Sequence, residues 1–290
     1  MRKKILFIIN PISGIGKQKI IEKLISENLD KSKFSVKIEY TKYRFHAFEI
    51  SEKYKNLLDI IVIVGGDGSV NEVSQSLIFS KTIMGIIPAG SGNGFARHLK
   101  IPLNLKKAIL LFNNFSLKKV DSVKINDKIF VNVAGIGFDA RIAHQFEKLG
   151  KRGFYNYVKL TIKEFFYSKN KKFRFKIGKK IFEKNAFMLS FANSSQFGNN
   201  VFIAPYAKID DGFLDICFLK KFPFWEIPKI SYMFFSKKIF HSKYWGSFKE
   251  KKITFLNDKK IEIHIDGEAQ NISKNIELEV QKHSLLVAVP

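Results

Sequence analysis

The run Ile60-Ile61-Val62-Ile63-Val64 leads without a break into Gly65-Gly66-Asp67-Gly68-Ser69-Val70-Asn71-Glu72. Five successive apolar residues offer water no polar face, so this strand must be covered on both sides. Such a strand belongs at the centre of a parallel sheet with helices on both faces, and the glycines after it mark an abrupt turn into a helix. The flanking chain repeats this rhythm. Apolar runs at 5–9, 35–40 and 83–87 alternate with helical patterns at 17–29, 47–55, 69–79 and 92–99. Together they predict an open, Rossmann-like α/β domain over residues 1–122.

The rhythm changes near Val120. A hairpin turning at Asn126-Asp127 opens a series of short β-type runs at 173–177, 186–193, 213–219, 252–255, 260–265 and 276–280. Helical stretches at 154–167 and 223–240 interrupt them. The pattern predicts a second, mainly antiparallel β-sandwich domain over residues 123–290, whose last strand, 284–289, can return to the first domain. At 290 residues, two domains are the default.

A lone cysteine, Cys217, excludes an internally disulfide-stapled scaffold and fits a reducing compartment. The first apolar run stops at Asn10-Pro11 after five residues, short of the roughly 7–15 of a signal-peptide core, so a buried first strand is expected there. No stretch approaches the roughly 18 apolar residues of a membrane-spanning helix. The charge balance is unusual. Fifty basic residues against 26 acidic ones give +24, which favours an anionic partner such as nucleic acid, a membrane or a phosphorylated substrate. Of those fifty, 44 are lysine, and with 30 phenylalanines this is also what an A/T-rich coding bias produces. No aromatic-basic RNA-binding signature is present, so a nucleic-acid partner is not expected.

The chemistry is expected where strands end. The glycine-flanked Asp67 opens a helix whose free amides and dipole favour phosphate, and three glycines around one aspartate exceed what an N-cap requires. Asn10-Pro11-Ile12-Ser13-Gly14 and Pro88-Ala89-Gly90-Ser91-Gly92-Asn93 also leave strands and precede helices. Three such loops at the C-terminal edge of one sheet make a phosphate-binding rim. None matches the P-loop or the dinucleotide fingerprint. Further on, Asp210-Asp211-Gly212 reads as a hairpin turn, and Ile265-Asp266-Gly267-Glu268 as a strand followed by a turn.

These segments resemble the diacylglycerol kinase catalytic family, which includes bacterial lipid kinases, sphingosine kinases and ceramide kinases. Gly135-Ile136-Gly137-Phe138-Asp139, the run from Phe191 to Gly198, and the run from Ala204 to Phe213 resemble signatures of its second domain. The resemblance implies an ATP-dependent, magnesium-dependent kinase acting on a hydroxyl of a membrane lipid, diacylglycerol or a sphingoid base. It assigns ATP binding to Asn10, Pro11, Ile12, Ser13, Gly14, Thr41, Gly66, Asp67, Gly68, Ser69, Val70, Asn71, Glu72 and Ser91. It assigns magnesium to the Asp211 carboxylate and the carbonyls of Lys208 and Phe213, a set of hard oxygen donors. It makes Glu268 the proton acceptor, with Asp67 holding Mg-ATP or, as in sphingosine kinases, taking the base role itself. The third loop departs from the family's Gly-Thr-x-Asn-Asp: Ser91 keeps a hydroxyl, while Gly94 removes a carboxylate.

The resemblance also implies a cytoplasmic protein held peripherally at the anionic inner face of a membrane, and a homodimer is compatible with it. Aromatic residues at 154–167 and 223–240, with lysines behind them, suit either lipid contact or packing on the sandwich. Two other functions stay open. One is a soluble kinase of the NAD-kinase or phosphofructokinase type, which shares the Gly-Gly-Asp-Gly loop; the other is a non-catalytic lipid-binding protein.

Overall fold

The computed structural model describes residues 2–13, 20–149, 154–272 and 275–290. Its contacts divide the chain into two units, Met1–Ser122 with Lys282–Pro290, and Val123–Gln281.

The first unit is a parallel sheet. Strands β1 (Lys3–Ile9), β2 (Phe34–Tyr40), β3 (Ile60–Gly65), β4 (Ile83–Pro88) and the end of β16 (Ile276–Val289) lie in the order β2-β1-β3-β4-β16. All six residues of β3 are buried, as its unbroken apolar run requires. Ile5, Phe7, Ile9, Val62 and Val64 pack on Ile21 and Ile25 of α1 (Ile21–Asn28) and on Ala108 and Ile109 of α5 (Leu105–Leu110). The alternate residues Leu6, Ile8, Ile61 and Ile63 are equally inaccessible, so both faces of the sheet are covered. Each side chain so buried contributes roughly 1.5–3 kcal/mol, which is why this sheet organises the unit. Helices α2 (His46–Tyr54) and α3 (Asp67–Leu77) are joined by a 2.6 Å bond between the Ser76 and Ser51 hydroxyls. The helix expected at 92–99 is the shorter α4 (Gly94–His98), and α5 was not expected.

The second unit is a sandwich of two antiparallel sheets. One contains β13 (Lys252–Leu256), flanked by β8 (Lys171–Ile177) with β9 (Lys180–Ala186), and by the start of β16. The hairpin β5 (Ser116–Ile125) with β6 (Lys128–Phe130), turning at Asn126-Asp127, joins it through β16. The other sheet runs β12 (Trp245–Glu250), β11 (Leu214–Leu219), β10 (Met188–Ala192), β7 (Val133–Gly137), β14 (Ile261–Ile265), β15 (Glu268–Ile272). Their inner faces meet in one core: Phe173, Phe175, Ile253, Phe255 and Leu278 face Ile136, Leu189, Phe191, Ile216 and Ile263. The outer face of the second sheet carries Met188, Ala192, Cys217 and Leu219. These pack with Phe165 of α7 (Phe154–Tyr167) and Ile230 of α8 (Ile227–Phe235). Helix α6 (Phe138–Leu149) follows β7 directly, through Gly137 at a φ of 95°. The Asp210-Asp211-Gly212 turn joins no hairpin; it closes an irregular stretch between β10 and β11.

Candidate functional site

In the first unit, the loops after β1, β3 and β4 lie at the ends of parallel neighbours, on one edge. They are tied to one another. Asn10 donates from Nδ2 to the Ser69 hydroxyl at 2.8 Å, and its Oδ1 accepts from the Ile12 amide at 3.1 Å. The buried Ser13 hydroxyl closes the same turn on the Asn10 carbonyl at 2.9 Å. Gly66 and Gly90 press backbone to backbone. A Cβ built on Gly90 would lie 2.5 Å from the Gly66 Cα, and one on Gly66 would lie 3.1 Å from the Gly90 Cα. These glycines admit the neighbouring loop, and neither needs a positive φ.

Asp67 begins α3 and is half-buried. A Cβ on Gly92 would meet its Oδ2 at 2.9 Å, so the third loop runs directly over this carboxylate. Asn93, at a φ of 51°, shapes that loop by accepting from the Gly90 amide at 3.0 Å and donating to the Gly90 carbonyl at 2.7 Å. Arg97 donates to the Gly92 carbonyl at 3.0 Å. Neither Asn93 nor Arg97 carries a role that the sequence alone assigns. Their one visible signal was the polar residue within a glycine pair.

The other expected nucleotide residues divide. Pro11, Ile12 and Ser91 are exposed at the rim, and Gly68 is half-buried in the first turn of α3. Thr41, at the end of β2, is buried, its amide bonded to the Ile9 carbonyl at 2.9 Å. Val70 and Asn71 are buried in α3, where Asn71 accepts from Gln75 at 2.6 Å. Glu72 performs a different task. Its two oxygens accept from the amides of Phe45 (2.9 Å) and Ala47 (3.1 Å), so it caps the start of α2 from the neighbouring helix. Gly14 lies outside the described residues.

In the second unit, Ile265 pairs with Glu268, so Asp266-Gly267 is a two-residue hairpin turn between β14 and β15. Both turn residues have positive φ, 48° and 87°, as the type I′ turn demands. Asp266 is a buried anchor. Its Oδ1 accepts from the amides of Asn132 (2.9 Å) and Val133 (3.0 Å), and its Oδ2 from that of Val131 (3.0 Å). Glu268, two residues on, is half-buried at the head of β15. A carboxylate on so rigid a turn is held in place and still accessible, which suits a proton acceptor.

Beneath the hairpin lies a buried network that sequence reasoning missed. Asp139 of α6 accepts from Ser190 at 2.7 Å, and His264 Nε2 sits 3.3 Å from the same oxygen. His144 Nε2 lies 2.8 Å from the Gln270 carbonyl of β15. A Cβ on Gly135 would meet Asp139 at 2.0 Å, so a glycine in β7 makes room for this network.

The expected magnesium site fares differently. Asp211 Oδ1 accepts from the Phe213 amide at 3.0 Å, and Oδ2 accepts from Lys249 Nζ at 2.7 Å. Lys249 also reaches Asp215, its cross-strand partner, at 3.5 Å. Burial works most strongly against its charge, but the contacts with both carboxylates together outweigh that and raise its pKa. Burial likewise raises the Asp215 carboxyl, with Lys249 opposing. The residues as arranged do not fit a magnesium ion at Asp211, because an ammonium group already occupies the outward oxygen. Among the described residues no cluster of three or more His, Cys, Asp or Glu forms a metal site.

Lys249→Ala should therefore leave Asp211 and Asp215 facing each other. The expected loss is on the order of 1–2 kcal/mol, between the values of exposed and buried pairs. Melting curves of the variant should become magnesium-dependent, while those of the wild type should show no magnesium effect that Asp211→Ala removes. If the wild-type midpoint rises with magnesium and Asp211→Ala abolishes the rise, the turn is a metal site after all.

The chain matches two family models in succession: the diacylglycerol kinase catalytic domain over residues 4–125, and the YegS C-terminal NAD kinase beta sandwich-like domain over residues 132–287. It is 25% identical to a diacylglycerol kinase of Staphylococcus saprophyticus, covering 92% of this chain and 90% of that one. It is 31% identical to a probable lipid kinase YegS-like of Chromohalobacter salexigens, over 56% of this chain and 54% of the relative. Among solved structures, a putative diacylglycerol kinase of Bacillus anthracis superposes with a TM-score of 0.83 at 24% identity, covering 99% of this chain and 95% of the other. Another from the same organism superposes with a TM-score of 0.80 at 26% identity, covering 99% and 97%.

Proposed function

The chain belongs to the diacylglycerol kinase family of lipid kinases, and on that premise we propose that it transfers the γ-phosphoryl group of ATP to a hydroxyl of a membrane lipid. The observation that carries this reading is the rim of the first unit. There Gly66 and Gly90 meet backbone to backbone beside the N-terminus of α3, and the start of a helix favours a bound phosphate. The relatives named diacylglycerol kinase favour diacylglycerol over a sphingoid base as the acceptor.

Each residue then has a task. Asn10, Ser13, Ser69 and Ser91 supply polar groups for the nucleotide on the rim. Asp67 would hold the magnesium that accompanies ATP, a hard carboxylate at the head of α3; such an ion offsets the negative charge of the phosphates. Glu268 takes the proton. As the lipid hydroxyl oxygen bonds to the γ-phosphorus, its proton passes to the Glu268 carboxylate and the bond from phosphorus to ADP breaks. Little covalent chemistry is asked of the protein in phosphoryl transfer, so positioning dominates, and the Asp266 anchor supplies it for Glu268.

The test is a radiolabelled-ATP assay over extracted lipids, with NAD and sugar phosphates in parallel arms. Label should enter the organic phase, in a magnesium-dependent way, with diacylglycerol the strongest acceptor. Label in NAD or a sugar phosphate, and none in any lipid, would replace the proposal with the soluble-kinase reading.

A further inference from the structure

The second unit carries an aromatic cluster that its own packing leaves uncovered. On α7, Leu160 and Phe165 point inward at 8% and 5% exposure, whereas Phe166 and Tyr167 stand 61% and 65% exposed. Phe165 fixes this orientation. Its ring lies 5.0 Å from Phe222 and 5.6 Å from Phe187, in the cluster behind the second sheet. One residue on, about 100° around the helix, Phe166 must face away from that core. After β11, the short turn Phe224–Glu226 presents Phe224 at 59% and Trp225 at 68% exposure. The rings of Phe166 and Phe224 are 6.5 Å apart, and those of Phe224 and Trp225 are 5.2 Å apart. Two segments distant in sequence thus build one outward patch, and a patch of this kind marks a contact surface rather than a solvated loop.

The surrounding charge has one sign. Lys159, Lys163, Lys169, Lys171, Lys220 and Lys229 are exposed on the same two stretches of chain. Of the acids there, Glu164 is buried against Arg141, and Glu226 lies 3.8 Å from Lys229. Aromatic tips, tryptophan above all, are suited to the headgroup zone of a bilayer, and a ring of lysines to anionic lipid. A second copy of a chain carrying +24 would instead be repelled.

We propose that Phe166, Phe224 and Trp225, with the lysines around them, form the surface by which this protein docks on an anionic bilayer. This rests on the lipid-kinase reading for its purpose but not for its test. Only two tryptophans exist, and Trp245 is half-buried, with a 3.2 Å bond from its Nε1 to the Ile203 carbonyl. Emission of the wild type compared with that of Trp225→Phe therefore isolates the signal of Trp225. Vesicles of phosphatidylcholine with phosphatidylglycerol should shift its emission to the blue, and phosphatidylcholine alone should not.

In co-sedimentation, Phe166→Ser with Phe224→Ser should lower partition at least about tenfold, with an unchanged melting curve because both rings are exposed. Phosphorylation of a short-chain lipid dispersed in detergent should be unaffected by the same pair. No emission shift with either vesicle overturns the proposal, as does wild-type partition of the double variant. Self-association that the double variant abolishes, without any vesicle binding, overturns it in favour of a protein interface. An emission shift with no kinase activity on any lipid would uphold the docking surface while the catalytic reading fell.

Discussion

Glu268→Gln is expected to lower turnover by about 10²–10⁴-fold, the usual cost of losing a general base, while ATP affinity and the melting temperature stay at wild-type values. The substitution keeps the shape of the side chain and removes only its capacity to take a proton. Glu268 is half-buried at the end of a hairpin that Asp266 anchors, so the fold is expected to tolerate this near-isosteric change. Asp67→Asn should be distinguishable: it acts on the rim of the first unit, so ATP affinity should fall together with turnover. Single-turnover kinetics separates the two, and wild-type chemistry in Glu268→Gln would pass the base role to Asp67. Asp266 makes an instructive comparison. Replacing it strips three buried amides of their acceptor, so its loss should be felt in folding before it is felt in catalysis.

Gly90→Val should abolish ATP binding. A Cβ at this position would come within 2.5 Å of the Gly66 Cα and 2.9 Å of Asn93 Oδ1, distances that force the loops apart. The same geometry predicts an asymmetry. Gly90→Ala should already impair binding severely, whereas Gly66→Ala, with its nearest contact at 3.1 Å, should need only a few tenths of an ångström of adjustment. Calorimetric titration with ATP, on variants whose circular dichroism shows an intact fold, checks both. Normal affinity in a folded Gly90→Val protein would mean that the contact between these loops does not shape the nucleotide site.

Much of this architecture was legible in the sequence because it is written in local periodicity. The five apolar residues from Ile60 to Val64 could only be a covered strand, and β3 is buried throughout. The helical stretch at 154–167 coincides with α7, since a helix packed on one side repeats its apolar residues at a helical interval. Strands without a buried face gave no such signal. In β9, six of seven residues are exposed and lysine and glutamate mix with Ile181 and Phe182; β15, Glu-Ala-Gln-Asn-Ile, has only Ala269 and Ile272 as apolar residues, and none of its residues is fully buried. Both lie at the ends of their sheets, held by hydrogen bonds to a single neighbour.

Site chemistry divided along the same line. Loops at strand ends could be recognised as a rim, but what fills the oxygens of a carboxylate depends on residues far away in the chain. That Lys249 would reach Asp211 follows from the pairing of Asp215 with Lys249 across β11 and β12. That Glu72 would cap α2 follows from two helices lying side by side. Neither partner is within reach of a motif.

The return of β16 to the first unit has a consequence for how the protein is made. The strand that flanks β4 through Val287 and Met84 leaves the ribosome only after the whole sandwich unit has been synthesised. Until then the nascent β4 carries an open hydrogen-bonding edge beside fully buried side chains, the kind of surface that recruits other chains. Completion of the first unit is thereby coupled to translation through the sandwich, and a ribosome that stalls before Lys282 releases an unfinished sheet instead of an autonomous half of the protein.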